Sequence, residues 1–96
     1  MPAVTRLGDL GTGHGSYPPR PNIAGAATVF VNGIPVHRQG DAWDTHCNPA
    51  PDCHAGTLSG GSTSVFAEGQ AVGRIGDPVS CGSAVAAGSA NVFASG

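Results

Sequence analysis

The stretch Thr28–Asp41, TVFVNGIPVHRQGD, decides how this chain folds, because versions of it occur three times. A β-branched and aromatic run leads into Asn32-Gly33, a strong signal for a tight hairpin turn. A short return, Ile34 to Arg38, then enters the turn Arg38-Gln39-Gly40-Asp41. Ser64–Asp77, SVFAEGQAVGRIGD, repeats the object with Glu-Gly at the turn. Val29 to Arg38 is nine positions, and Val65 to Arg74 is again nine. The third copy is divided. The chain ends in NVFASG, Asn91–Gly96, a first strand and turn without a return, and begins with MPAVTRLGD, Met1–Asp9, a return without a first strand. Joined end to start, the two pieces make one hairpin. This predicts a small all-β, cone-shaped body: a pseudo-threefold arrangement of β-hairpins closed by the two termini, so that exposed sheet edges are removed. Pro35 lacks the N–H of a central ladder and suits an edge or turn-proximal position.

Composition agrees with this architecture. Charged residues make up 10% of the chain and aromatics 5%, against sixteen glycines and eight prolines, which excludes a helical bundle. An apolar content of 40% excludes the disordered class. One domain of 96 residues with so few large side chains buries little apolar surface and calls for support from a metal, a disulfide or a partner. A net charge of −2 without any basic run gives nucleic acid no footing. The chain shows neither a signal peptide nor a membrane-spanning run, so the expectation is a protein that begins in the cytoplasm. Three cysteines, an odd number, beside histidines favour a metal over a disulfide framework in a reducing compartment.

The segments between the hairpins vary in length. From each Arg to the next Val-Phe is 23, 27 and 18 positions. Each nevertheless places a metal-capable side chain at nearly the same point: His14 five residues after Asp9, His46 five after Asp41, and Cys81 four after Asp77. On a threefold body these points converge near the axis. A fourth ligand on the axis would complete the tetrahedron of nitrogen and sulfur donors that Zn²⁺ prefers. It must break the symmetry, so the longest loop, AWDTHCNPAPDCHAG, is its expected source. That loop offers Cys47, Cys53 and His54. His54 is the expected fourth ligand, although spacing alone separates it little from its neighbour Cys53. The expected set is His14, His46, His54 and Cys81, holding one structural zinc per chain. Cys47 and Cys53 read as a disulfide formed after export or as small apolar thiols. His37 aligns with Thr5 and Gly73, which reads as a tolerant surface position. The repeated Arg and Asp suit architecture better than catalysis, since an Asp after Gly commonly accepts backbone hydrogen bonds in a turn. Val29, Val65 and Val92 alternate with Phe30, Phe66 and Phe93, and one of these sets is expected to line the core.

The return strands PVHR, Pro35–Arg38, AVGR, Ala71–Arg74, and AVTR, Ala3–Arg6, resemble the motif of the proline-alanine-alanine-arginine (PAAR) repeat proteins, with Arg kept in each. The resemblance spans essentially the whole chain. It implies a structural, non-enzymatic cone that caps and sharpens the blunt end of a trimeric β-helical spike, one cone per trimer of the valine-glycine-repeat spike protein. Such spikes belong to type VI secretion systems and to phage-like contractile tails. Zinc near the vertex, held by three histidines and one cysteine, is implied as well. So are possible effector proteins as partners, transient contact with a target membrane, and residence in the bacterial cytoplasm until the assembled spike is ejected. Residues 1–96 are expected to be one PAAR domain without an effector extension. The competing expectation is a zinc-dependent or Cys-His hydrolase with Cys81 as nucleophile. A catalytic zinc keeps an open position for water, whereas the set named here supplies four protein ligands.

Overall fold

A computed structural model describing residues 1–96 shows the elements expected of hairpins. There are six strands: β1 (Phe30–Val31), β2 (Ile34–Pro35), β3 (Ala42–Cys47), β4 (Cys53–Thr57), β5 (Phe66–Ala67) and β6 (Gln70–Ala71). They pair antiparallel as β1–β2, β3–β4 and β5–β6. The turns of the first and third pairs are left-handed at both central residues, with φ of 55° and 76° at Asn32-Gly33 and 54° and 81° at Glu68-Gly69. Two-residue hairpin loops of the primed type require this. Asn tolerates the left-handed region locally, whereas Glu68 is held there from outside. Its carboxylate accepts hydrogen bonds from the Ala27 and Thr28 amides, the Thr28 hydroxyl and Arg38 Nη1. The Thr28 hydroxyl first, then those amides and Arg38, hold the Glu68 carboxyl below its usual pKa against a smaller opposing effect of desolvation.

The divided hairpin closes as its sequence requires. Ala3 bridges Phe93. Val4 N donates to Val92 O at 2.9 Å, matching Val36 N to Val29 O and Val72 N to Val65 O, both 3.0 Å. Ala94 N donates to Pro2 O at 3.1 Å. In this register Ser95-Gly96 occupy the turn and Pro2 stands where Ile34 and Gln70 stand in the intact copies. Met1 is the one residue left over. With it skipped, Val92 to Arg6 is again nine positions.

The three return strands pair with one another around the axis. Thr5 N donates to Gly73 O (3.0 Å), Gly73 N to His37 O (2.9 Å) and His37 N to Thr5 O (3.1 Å), a closed triangle. A second triangle follows from Leu7 N to Pro35 O (2.8 Å), Gln39 N to Ala71 O (2.8 Å) and Ile75 N to Ala3 O (2.9 Å). Pro35 contributes only its carbonyl here, which is all a proline can offer a ladder. Each Arg-x-Gly-Asp turn caps the same place in its unit. The Asp amide donates to the Arg carbonyl at 3.0 Å in all three, and the glycines have φ of 90°, 92° and 94°. Asp Oδ2 accepts the Arg amide and the Arg Nε in each copy, at 2.8–3.1 Å. The repeated Arg and Asp are architectural.

Two expectations are corrected. His37 is not on the surface: its residue exposure is 0%, as is that of Thr5, and Gly73 is buried beside them. The aligned positions vary because all three point at the axis, where space allows one large side chain, one small one and a glycine. A Cβ on Gly73 would lie 2.5 Å from Leu58 Cδ2 and 3.0 Å from Thr5 Cγ2. His37 Nδ1 donates to Ala24 O at 2.7 Å, its ring meets Trp43 edge-on at 5.3 Å, and burial lowers its pKa. Likewise, neither the Val29 set nor the Phe30 set lines the core as a whole. The buried cluster is Val4, Val36 and Val72 from the return strands with Ala26, Ala67 and Ala94, while Val31 and Val92 pack against it. Phe30, Phe66 and Phe93 are 54%, 59% and 49% exposed. Strand alternation places the residue after each Phe inward, and so the Phe outward.

Glycines four residues before each Val extend the repeat upstream. A Cβ on Gly25, Gly61 or Gly88 would lie 3.0, 2.8 or 2.6 Å from the carbonyl oxygen of Val36, Val72 or Val4, so these backbones lie directly on the return strands. A second cluster, Trp43, Leu58, Val79 and Val85, lies beyond the axial triangle. The molecule measures 39 × 24 × 21 Å, and the hairpin units pack around the first cluster while the connecting loops pack around the second. No helix is long and apolar enough to cross a membrane.

Candidate metal centre

Each loop leaves its Asp as a narrow excursion. In the first, Leu10 bridges Pro21, Gly11 N donates to Arg20 O at 3.0 Å, and the tip closes by reciprocal bonds between His14 and Tyr17 (3.1 and 2.8 Å). In the third, Pro78 bridges Ala84 and Val79 N donates to Ser83 O at 2.9 Å, which puts Cys81 at the tip. Gly82, at φ 106°, lies under the His14 imidazole, 3.6 Å from Cγ to the position of an added Cβ.

The second loop is the longest because it is a full hairpin, β3–β4, and it supplies two donors as a cross-strand pair. Ala42 pairs with Thr57 and Trp43 with Gly56, whereas His46 pairs with His54 and Cys47 with Cys53. The register shifts by one between Trp43 and His46, a β-bulge at Asp44–Thr45. Were the register of Trp43 and Gly56 continued unshifted, His46 would oppose Cys53. The bulge is what brings the two histidines face to face, and spacing in the sequence does not reveal it.

The four side chains singled out in the sequence converge. The Nε2 atoms of His46 and His54 are 2.7 Å apart, those of His14 and His54 2.9 Å, and those of His14 and His46 3.2 Å. All donor atoms of His14, His46, His54 and Cys81 lie within 4.8 Å of one another. A tetrahedral site with zinc–nitrogen bonds of about 2.05 Å needs its nitrogens roughly 3.3 Å apart, close to what is found. His46 Nδ1 donates to Pro18 O at 2.9 Å, so its Nε2 presents a lone pair to the cluster. Desolvation first, then His46 and His14, lowers the pKa of His54, a shift in the direction of the neutral form that a metal requires. Three imidazole nitrogens crowded this closely, joined by a thiol, are positioned to hold a metal ion, and the donor set fits zinc.

Tyr17 covers the cluster. Its ring lies 4.2 Å from His54, 4.9 Å from His14 and 5.0 Å from His46, centroid to centroid, and so packs on all three imidazoles. Asn48 Nδ2 donates to its hydroxyl at 3.4 Å. The only hint in the sequence is Tyr17's position three residues after His14, enough for the tight turn that folds it back. Cys47 and Cys53 form a disulfide, and Cys81 is the free thiol. The odd count is thereby explained: one pair and one candidate ligand.

Three hairpin units closed on an axis, with a His₃Cys cluster positioned to hold a metal where the three loops meet, define a small β cone. The chain belongs to the PAAR motif family, whose model matches residues 12–87, from the first loop through two intact hairpins to the end of the third loop. No curated protein sequence matches the chain significantly.

Proposed function

We propose that this protein is the tip of a trimeric β-helical spike in a bacterial contractile injection machine, either a type VI secretion system or a phage-like tail. One cone caps one trimer of a valine-glycine-repeat spike protein or its phage homologue. The observation that carries this reading is the pseudo-threefold body, which presents Phe30, Phe66 and Phe93, one exposed phenylalanine per hairpin, on the hairpin units rather than on the loops that carry the histidines. A single chain with three near-equivalent apolar contacts matches three identical partner chains, and covering them also shields strand ends that otherwise invite aggregation. His14, His46, His54 and Cys81 hold one structural zinc that ties together loops with few other contacts. Zinc in small domains contributes on the order of 10 kcal/mol of apparent folding free energy, which suits a narrow tip driven against a membrane. Four protein donors fill a tetrahedron and leave no position for a catalytic water, so a structural site is favoured over a hydrolytic one. The cone resides in the cytoplasm until assembly and leaves with the spike, with any effectors it carries.

Two measurements test this. Metal analysis should give one zinc per chain, lowered in Cys81→Ser and His14→Ala and retained in His37→Ala. Full occupancy in Cys81→Ser refutes the ligand set. Sedimentation with a spike trimer should give one cone per trimer, abolished by Asp at positions 30, 66 and 93 together. Three cones per trimer refutes the threefold match.

A further inference from the structure

The Cys47–Cys53 pair stands one register step beyond the His46–His54 pair on the same two strands. Successive residues face opposite ways along a strand, so the sulfurs lie on the outer face of the hairpin while the imidazoles point in. Exposure agrees: His46 is buried and His54 half-buried, whereas Cys47 and Cys53 are exposed. Beyond this step the hairpin is closed by only a few contacts. Asn48 N donates to Asp52 O at 2.9 Å, and Asn48 Oδ1 accepts the Ala50 and Asp52 amides at 3.0 and 2.7 Å. The side chain of Asn48, next to Cys47, also reaches Tyr17 over the three imidazoles. The disulfide therefore closes the strand ends that carry half of the donor set, and it steadies the residue that touches the aromatic cover.

We propose that Cys47 and Cys53 form a redox staple that sets the metal affinity of the centre: the oxidised chain holds its metal more tightly than the reduced chain. This rests on the four-residue metal centre described above. The oxidant is a disulfide of small-molecule or dithiol-oxidoreductase type, met outside a reducing compartment. One cysteine sulfur attacks the oxidant's disulfide, releasing one thiol and leaving a mixed disulfide. The second cysteine displaces the other half, so two protein thiols are oxidised and one disulfide is reduced to two thiols. Cys81 stays out of the exchange because its place is at the donor cluster, at the tip of a different loop. Stapling restrains the metal-free hairpin, where His46 and His54 would otherwise separate, and so lowers the cost of bringing them together. A closed loop of sequence separation 6 limits the effect. Chain-entropy reasoning for so short a loop gives an upper bound of about fiftyfold in affinity.

The test is the zinc dissociation constant, by competition with a chromophoric chelator, for oxidised wild type, for wild type reduced with a phosphine, and for Cys47→Ser/Cys53→Ser. The oxidised form should bind between about threefold and fiftyfold more tightly. The double variant should match the reduced form and ignore the reductant. Hydrogen exchange at the Asn48 amide should quicken on reduction while that at Thr5, on the axis, does not. Equal affinity of the oxidised and reduced forms overturns the staple and leaves the metal centre standing. Failure of both forms to take zinc overturns the centre itself and the staple with it.

Discussion

Replacing Gly73 by Ala tests the axial packing directly. In the aligned copies Gly73 stands where Thr5 and His37 stand, and a methyl there would look harmless. The structure says otherwise. The new Cβ would lie 2.5 Å from Leu58 Cδ2, 3.0 Å from Thr5 Cγ2 and 3.3 Å from His37 O. Leu58 is 1% exposed and Thr5 0%, so neither has open space into which to move. Overpacking of this kind costs about 1–3 kcal/mol. Loss of glycine's freedom in the unfolded chain offsets about 0.4–1 kcal/mol. A net loss of roughly 1–2 kcal/mol lowers Tm by about 5–15 °C for a domain of this size. Thermal unfolding at fixed free metal, followed by circular dichroism, reads this out, since metal linkage then acts equally on both proteins. Leu58→Ala alone should cost about 2–5 kcal/mol, and the added methyl should fill part of that cavity, making the pair less damaging than the sum by about 1 kcal/mol or more. A Gly73→Ala shift under about 0.5 kcal/mol, or strict additivity of the pair, refutes the crowded axis.

Other predictions follow from the same geometry. His37 has its pKa lowered from 6.5 by burial, so the unfolded chain takes up a proton at this residue before the folded chain does. Its contribution to stability is complete above 6.5 and falls as pH drops towards the depressed folded value, by at most about 1.4 kcal/mol per pH unit. The difference in unfolding free energy between metal-free wild type and His37→Asn should show this slope, and a difference independent of pH between 5 and 6.5 contradicts it. Ser95 occupies the turn position of Asn32 and Glu68, but Arg74 Nη1 has no partner, whereas Arg6 Nη1 reaches Asn32 and Arg38 Nη1 reaches Glu68. Ser95→Glu should therefore gain about 0.5 kcal/mol, a Tm rise of about 2–4 °C that shrinks in high salt and disappears in Arg74→Lys. Because Met1 is the one residue outside the hairpin register, joining Gly96 directly to Pro2 and opening the chain between Asn32 and Gly33 should give a folded permutant. Its metal content and near-native Tm check this, and a linker proving necessary at the Gly96–Pro2 junction counts against the register.

Periodicity and chemistry along the chain were enough for the hairpins, the closure of the third by the termini, and the convergence of His14, His46 and Cys81. Those features are local or follow from equivalence. An Asn-Gly turn acts on four residues, and a threefold repeat brings equivalent positions together whatever lies between. His54 was preferable to Cys53 by chemistry, but only the bulge at Asp44–Thr45 decides that it faces His46, because a register shift has no signature in residue spacing. Tyr17 covers the imidazoles through a turn whose partners come from two loops.

The sequence by itself determined the architecture, since the repeat is a symmetry and symmetry is legible in one dimension. Only the tertiary structure decided which side chains face the axis. His37 looked exposed because its counterparts are Thr and Gly. In the folded chain they differ because the three positions share one small volume. Alignment treats such positions as independent, whereas packing makes the size of each depend on the other two.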